Sequence, residues 1–131
     1  MDILKEYKTD EKLEVDGKEF DFGDGCWCII ARRGNPEYIK TMRRLMKPYK
    51  RQLRADRVPD EVQERISIEV IANTILKGWR GMKENGVDVP YNLKNCIRLL
   101  TEYKDFREQV SEISDEMEHY KIAEDEEAEG N

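Results

Sequence analysis

At 131 residues the chain is long enough for one domain that buries roughly two-thirds of the surface its unfolded form exposes. Apolar residues make up 38% and charged residues 40%, so an adequate core must lie beneath a strongly ionic surface. No uncharged run reaches ten residues, which excludes a membrane-spanning helix, and the opening Met1-Asp2-Ile3-Leu4-Lys5-Glu6 lacks the order of a secretion signal. Three cysteines without framework spacing fit the same expectation, a soluble cytosolic protein. The net charge of −6 conceals a partition. Residues 32–57 carry ten Lys or Arg against two acids, whereas residues 102–131 carry twelve acids against three bases.

In chain order, residues 1–11 are polar and unpatterned and are expected to form a flexible arm. Residues 12–122 are expected to form a single globular domain. It opens with a β unit over residues 12–33: Lys12-Leu13-Glu14-Val15, then Asp16-Gly17 as a hairpin turn. Phe20 and Phe22 alternate with charged neighbours as in a half-buried strand, and Gly23-Asp24-Gly25 turns into Cys26-Trp27-Cys28-Ile29-Ile30-Ala31. Such a unit is marginal alone and must pack on helices. Asn35 as cap and Pro36 at the first position open a helix over residues 36–55, kinked by Pro48. A second helix over 59–78 carries the widest apolar face, Val62, Ile66, Val70, Ile71, Ile75 and Leu76. Gly78-Trp79-Arg80-Gly81 through Val89-Pro90-Tyr91-Asn92 then reads as a joint. Gly78 and Gly81 stop a helix, Asn85-Gly86 turns, Asn92 caps the next helix, and Trp79 and Tyr91 wedge between the two. Helices over 92–101 and 104–122 follow, the last with Phe106, Val110, Ile113, Met117 and Tyr120 as its seam. Residues 123–131 form an acidic tail expected to be disordered. The fold class is therefore mainly α with a small N-terminal antiparallel β unit, an α+β chain of about four helices.

No catalytic constellation stands out, and a non-enzyme is expected, with no cofactor and no metal. His119, the lone histidine, sits among acids on a late helix with no orienting partner. Cys26 and Cys28 share a strand face, but Cys96 and His119 do not complete a zinc spacing. No glycine-rich phosphate loop is present. The sharper signal is the basic segment: Arg43, Arg44, Lys47, Lys50, Arg51 and Arg54, with Arg32, Arg33, Lys40 and Arg57 around them. It admits three readings: phosphate contacts in a small nucleic-acid-binding regulator, a solvated amphipathic helix, or an electrostatic match to an acidic protein surface. The acidic ends weigh against nucleic acid. Met117 and Tyr120, near the end of the last helix, are candidates for an adaptable partner contact.

Taken as an ordered set, several landmarks resemble a known family. They are the β unit ending Cys28-Ile29-Ile30-Ala31-Arg32-Arg33-Gly34-Asn35-Pro36, the basic run Tyr38 to Arg51, the segment Ile75-Leu76-Lys77-Gly78-Trp79-Arg80-Gly81, and Val89-Pro90-Tyr91-Asn92. Over residues 18–122 the chain resembles the tail assembly chaperones of long, non-contractile-tailed bacteriophages. The Gly-Trp-x-Gly and Val-Pro-Tyr pieces are the most specific. Asn92 stands where that family has serine, which preserves capping. The resemblance implies a small helical protein of the host bacterial cytoplasm, absent from the mature virion. It also implies binding to the tape-measure protein, recruitment of tail-tube subunits, and self-association into a homo-oligomer, here as the short form of a frameshifted pair. It supplies no binding residue to transfer. Physical patterning adds one expectation: copies associate head to tail, the basic first helix of one beside the acidic last helix of the next.

Overall fold

Two left-handed residues, Asp24 (φ 53°) and Gly25 (φ 77°), make the tight turn that folds β1 (Lys18–Gly23) back on β2 (Cys26–Ile30). The computed structural model, which describes residues 1–122, pairs them antiparallel, with Phe20 opposite Cys28. The third strand comes from far along the chain. β3 (Leu76–Arg80) runs antiparallel to β2, with Trp79 opposite Cys28 and Gly78 opposite Ile29, giving the order β1-β2-β3. A two-stranded hairpin, β4 (Lys83–Glu84) and β5 (Val87–Asp88), turns at Asn85 and Gly86, both left-handed.

The N-terminal residues are helical. Asp10 caps α2 (Glu11–Asp16), its carboxylate accepting from the Leu13 N–H at 3.1 Å, and Gly17 ends that helix at φ 89°. The expected strand at Lys12–Val15 is thus corrected: one Asp-Gly pair serves as a hairpin turn or as a helix end, and the cap at Asp10 decides for helix. Before it, α1 (Ile3–Tyr7) is capped by Asp2. The Asp10 N–H donates to the Tyr120 carbonyl at 2.8 Å, and Thr9 bridges to Lys121, so the root of this segment lies against the end of the described chain.

The helices are α3 (Pro36–Met46), α4 (Lys50–Arg54), α5 (Asp60–Val70), α6 (Leu93–Glu102) and α7 (Lys104–Asp115). With α1 and α2 that makes seven among the described residues, and the expectation of about four helices is overturned, as is a sheet confined to the N-terminus. Each difference has a local cause. Pro48 brings no N–H to the helical ladder, so residues 36–55 split into α3, a 3-10 turn at Lys47–Tyr49, and α4. The expected 59–78 helix ends early. After α5 the chain widens into a π turn at Ile71–Ile75 and passes directly into β3. The expected 104–122 helix stops at Asp115, where Glu116 is extended (φ −91°, ψ 114°), and a 3-10 turn follows at Met117–Tyr120. The acidic tail expected over residues 123–131 lies outside the described residues.

The core gathers Cys28 and Ile30 from β2, Ile68 from α5, Ile71, Ala72 and Ile75 from the π turn, Leu76 from β3, Cys96 and Leu100 from α6, and Val110 from α7. It lies between the sheet and the helices, the arrangement a short three-stranded sheet needs. Trp79 and Tyr91 do meet, edge to face with ring centroids 4.9 Å apart. They are not wedges between helices, however. Trp79 Nε1 donates to the Val89 carbonyl and Tyr91 Oη to the Leu76 carbonyl, both at 2.7 Å, clasping β3 to the segment that leads into α6. Asn92 caps α6 through the Asn95 N–H at 2.8 Å.

Candidate functional site

The basic segment is built from its cap outward. Asn35 is buried and fully used: its Oδ1 accepts from the Glu37 and Tyr38 N–H groups at 2.9 and 3.0 Å, and its Nδ2 donates to the Arg32 carbonyl at 2.7 Å. That network fixes where α3 leaves the sheet. Tyr38 packs against the core, while no residue of α3 is fully buried. Past the Pro48 break, the Arg65 guanidinium donates to Tyr49 Oη at 2.7 Å, tying the bend to α5. The result is a two-part limb, α3 and α4, lying on the body through one side only.

This limb carries an apolar groove of about 360 Å³, lined by Tyr38, Ile39, Met42, Met46 and Leu53 with Arg43, Lys47 and Lys50 among them. Ile39 and Leu53 are about half exposed. Arg43, Arg44, Lys47, Lys50, Arg51 and Arg54 are all exposed, and none forms an ion pair among the described residues. Four other arginines do form ion pairs. Arg32 pairs with Glu14 at 3.4 Å, Arg80 with Glu19 at 2.9 Å, Arg98 with Glu84 at 3.0 Å and Arg107 with Glu64 at 3.3 Å. The limb's cations thus lie beside partly uncovered apolar surface with no acidic partner among the described residues. Chemically that combination favours an acidic, amphipathic protein surface.

Sequence reasoning found the cations and missed the groove. In the helix expected over 36–55, Ile39, Met46 and Leu53 lie beside the apolar stripe of Tyr38, Met42, Leu45 and Tyr49. The available signal was their number: α3 carries apolar residues on more of its circumference than one buried face can take. Tyr120 is a correction in the other direction. It is completely buried, its Oη donates to the Ile30 carbonyl at 2.9 Å, and burial raises its pKa, so it is a core residue and not a partner contact. Met117 is half-buried on the same 3-10 turn and does not line the groove.

Other reactive groups are engaged elsewhere. Cys28 and Cys96 are completely buried; burial first, then Cys26, raises the Cys28 thiol, and burial pushes Cys96 up to about 12. Both stay protonated and unreactive near neutral pH. The His119 ring meets Phe20 edge to face at 4.9 Å, and its Nε2 lies 3.1 Å from Glu116. A larger hollow of about 700 Å³ opens between the β4–β5 turn and the junction of α6 and α7. Its carboxylate Glu84 is already bound by Arg98 and by Tyr103 Oη at 2.6 Å, contacts that hold Glu84 below the ordinary carboxylate range. No group of three or more His, Cys, Asp or Glu among the described residues can hold a metal ion.

A family model described as YdaY prophage protein matches residues 33–131. The chain belongs to the YdaY prophage protein family. It is thus phage-derived. The YdaY match takes in the whole limb and leaves out α1, α2, β1 and β2. Neither a curated protein nor a solved structure matches the chain. Among the described residues of this YdaY-family chain, no helix is long and apolar enough to cross a membrane.

Proposed function

We propose that this YdaY-family protein is a phage tail assembly chaperone that binds the tape-measure protein, with tail-tube subunits as a second client. It acts without covalent chemistry in the host cytoplasm, works as a homo-oligomer, and leaves before the virion is complete. One observation carries the reading: the open apolar groove on α3 and α4, lined also by Arg43, Lys47 and Lys50, which form no ion pair among the described residues. The ordered Gly-Trp-x-Gly and Val-Pro-Tyr landmarks supply the resemblance, and prophage family membership supplies the phage setting.

Magnitudes fit a chaperone better than a tight binder. Covering four partly exposed apolar side chains gains on the order of 1 kcal/mol each, about 4 kcal/mol in all. Association itself costs about 4 kcal/mol or more, so one groove alone binds weakly. A long amphipathic rod offers many such sites, and an oligomer of grooves binds it through effective concentration while each contact stays reversible. Coulomb attraction from the limb favours acidic flanks on the client and weakens with salt.

A second reading, a nucleic-acid-binding regulator, is favoured by the same unpaired cations but leaves the groove without a purpose. Co-expression with the tape-measure protein separates the two. The wild type is expected to keep the tape-measure protein soluble and to copurify with it, and the Ile39→Asp/Leu53→Asp variant to lose at least about tenfold of that yield. Duplex DNA bound at moderate salt, unaffected by that variant and lost on charge reversal at Arg43, Arg44 and Lys47, would establish the regulator instead.

A further inference from the structure

The limb carries more positive charge than its groove uses. Lys40, Arg44, Arg51 and Arg54 are exposed and do not line the groove, which takes Arg43, Lys47 and Lys50. From Tyr38 to Ala55 the sequence holds no acid, so nothing on the limb itself answers these four charges. The opposite arrangement occurs on α7. Asp105, Glu108, Glu112 and Asp115 fall at i, i+3, i+7 and i+10, one face of the helix, turned away from the buried Val110 and Ser114. All four are exposed. Of the two bases on α7, Arg107 is taken by Glu64 and the Leu100 carbonyl, which leaves Lys104 against four acids. Just beyond the helix, Glu116 and Glu118 already lie 3.1 and 2.9 Å from His119 and Lys121. Within one copy the two rows do not meet: none of the eight side chains forms an ion pair among the described residues.

We infer that the α7 acid row of one copy docks along Lys40, Arg44, Arg51 and Arg54 on the limb of a second copy. Four charges face four of opposite sign. Lengths agree as well: the acid row spans about 15 Å at the helical rise, and Lys40 to Arg51 about 17 Å along the limb. The contact leaves the groove clear, because none of the four cations lines it. Copies joined this way therefore keep their grooves open to a client, as multivalent binding requires. Two different surfaces meet, so the contact propagates from copy to copy or closes into a ring. Exposed ion pairs are individually weak and screened by salt, which makes the assembly reversible and sensitive to ionic strength. The inference rests on the homo-oligomer part of the proposed function and names its surfaces. It is tested without client, so its failure is read apart from any failure of tape-measure binding.

Charge exchange between two variants tests the contact. Lys40→Glu/Arg44→Glu turns the limb row acidic, and Glu108→Lys/Glu112→Lys turns the α7 row basic. Sedimentation of the full wild-type chain at about 50 mM salt is expected to show association, and at about 500 mM salt to need at least about tenfold higher concentration. Each variant alone should show the same tenfold loss at low salt, because its limb and its α7 then carry charge of one sign. A 1:1 mixture of the two should regain association, since a reversed limb then faces a reversed α7. The groove variant Ile39→Gln/Leu53→Gln should associate like the wild type. Should a reversal alter the circular dichroism, Lys40→Gln/Arg44→Gln or Glu108→Gln/Glu112→Gln takes its place and should still weaken association. A wild type that stays monomeric at low salt, or associates equally at both salts, would overturn the contact. Charge variants that associate like the wild type, a reversed pair that does not recover on mixing, or loss of association in the groove variant would do the same.

Discussion

Replacing Gly81 by alanine is expected to cost about 4 kcal/mol, a large part of the whole stability of a domain this size. Two causes act together. Gly81 sits at φ 73°, a conformation that costs an L-residue about 1–2 kcal/mol. A Cβ there would also lie 2.1 Å from the carbonyl oxygen and 2.9 Å from the carbonyl carbon of Gly25. Those atoms are backbone of the β1–β2 turn, so no side chain can swing away and the end of β3 must separate from the sheet. Gly86 is the control: φ is 77°, yet nothing lies within 4 Å of its missing Cβ. Gly86→Ala should therefore cost only about 1 kcal/mol, the conformational part alone. Urea denaturation of both variants checks the difference. Equal losses would mean that β3 does not meet the β1–β2 turn as described.

Tyr120 carries the second large effect. Tyr120→Ala is expected to cost about 4 kcal/mol, because it empties a completely buried aromatic site between the sheet and the 3-10 turn. Tyr120→Phe keeps the ring and removes only the hydroxyl that serves the Ile30 carbonyl. Its cost should be about 1–2 kcal/mol, that of a buried acceptor left unpaired. Thermal unfolding of the two variants, read with wild-type client binding in the refolded fraction, separates core from contact. A Tyr120→Ala protein of wild-type stability with weakened binding would return this residue to the surface.

The contrast between these two residues shows what the sequence could and could not disclose. Local signals were legible wherever a short-range hydrogen bond decides the backbone. Asn35 before Pro36, Asp24-Gly25, Asn85-Gly86 and Asn92 all do what their chemistry suggests. Long-range pairing was not. Val70, Ile71, Ala72, Ile75 and Leu76 are buried whichever side they face, so their pattern has no period to distinguish helix from strand. No glycine or proline marks the passage from the π turn into β3; Gly78, which reads as a helix stop, lies inside the strand and leaves room for Ile29. Tyr120 fits a helical seam by spacing, and only its bond to Ile30, ninety residues earlier, draws it inward. In the candidate site the six cations were visible at once. The groove beside them was not, because exposure of Ile39 and Leu53 depends on how little of the body reaches over α3 and α4.

The claim on which the functional reading turns is that the limb, and not the body, is where another polypeptide docks. Amide hydrogen exchange of the full chain, alone and with the tape-measure protein in excess, measures this directly. Slowed exchange is expected between Ile39 and Leu53, with α5, α6 and α7 unchanged. Exchange that is unaltered along α3 and α4 while another face becomes protected would contradict it.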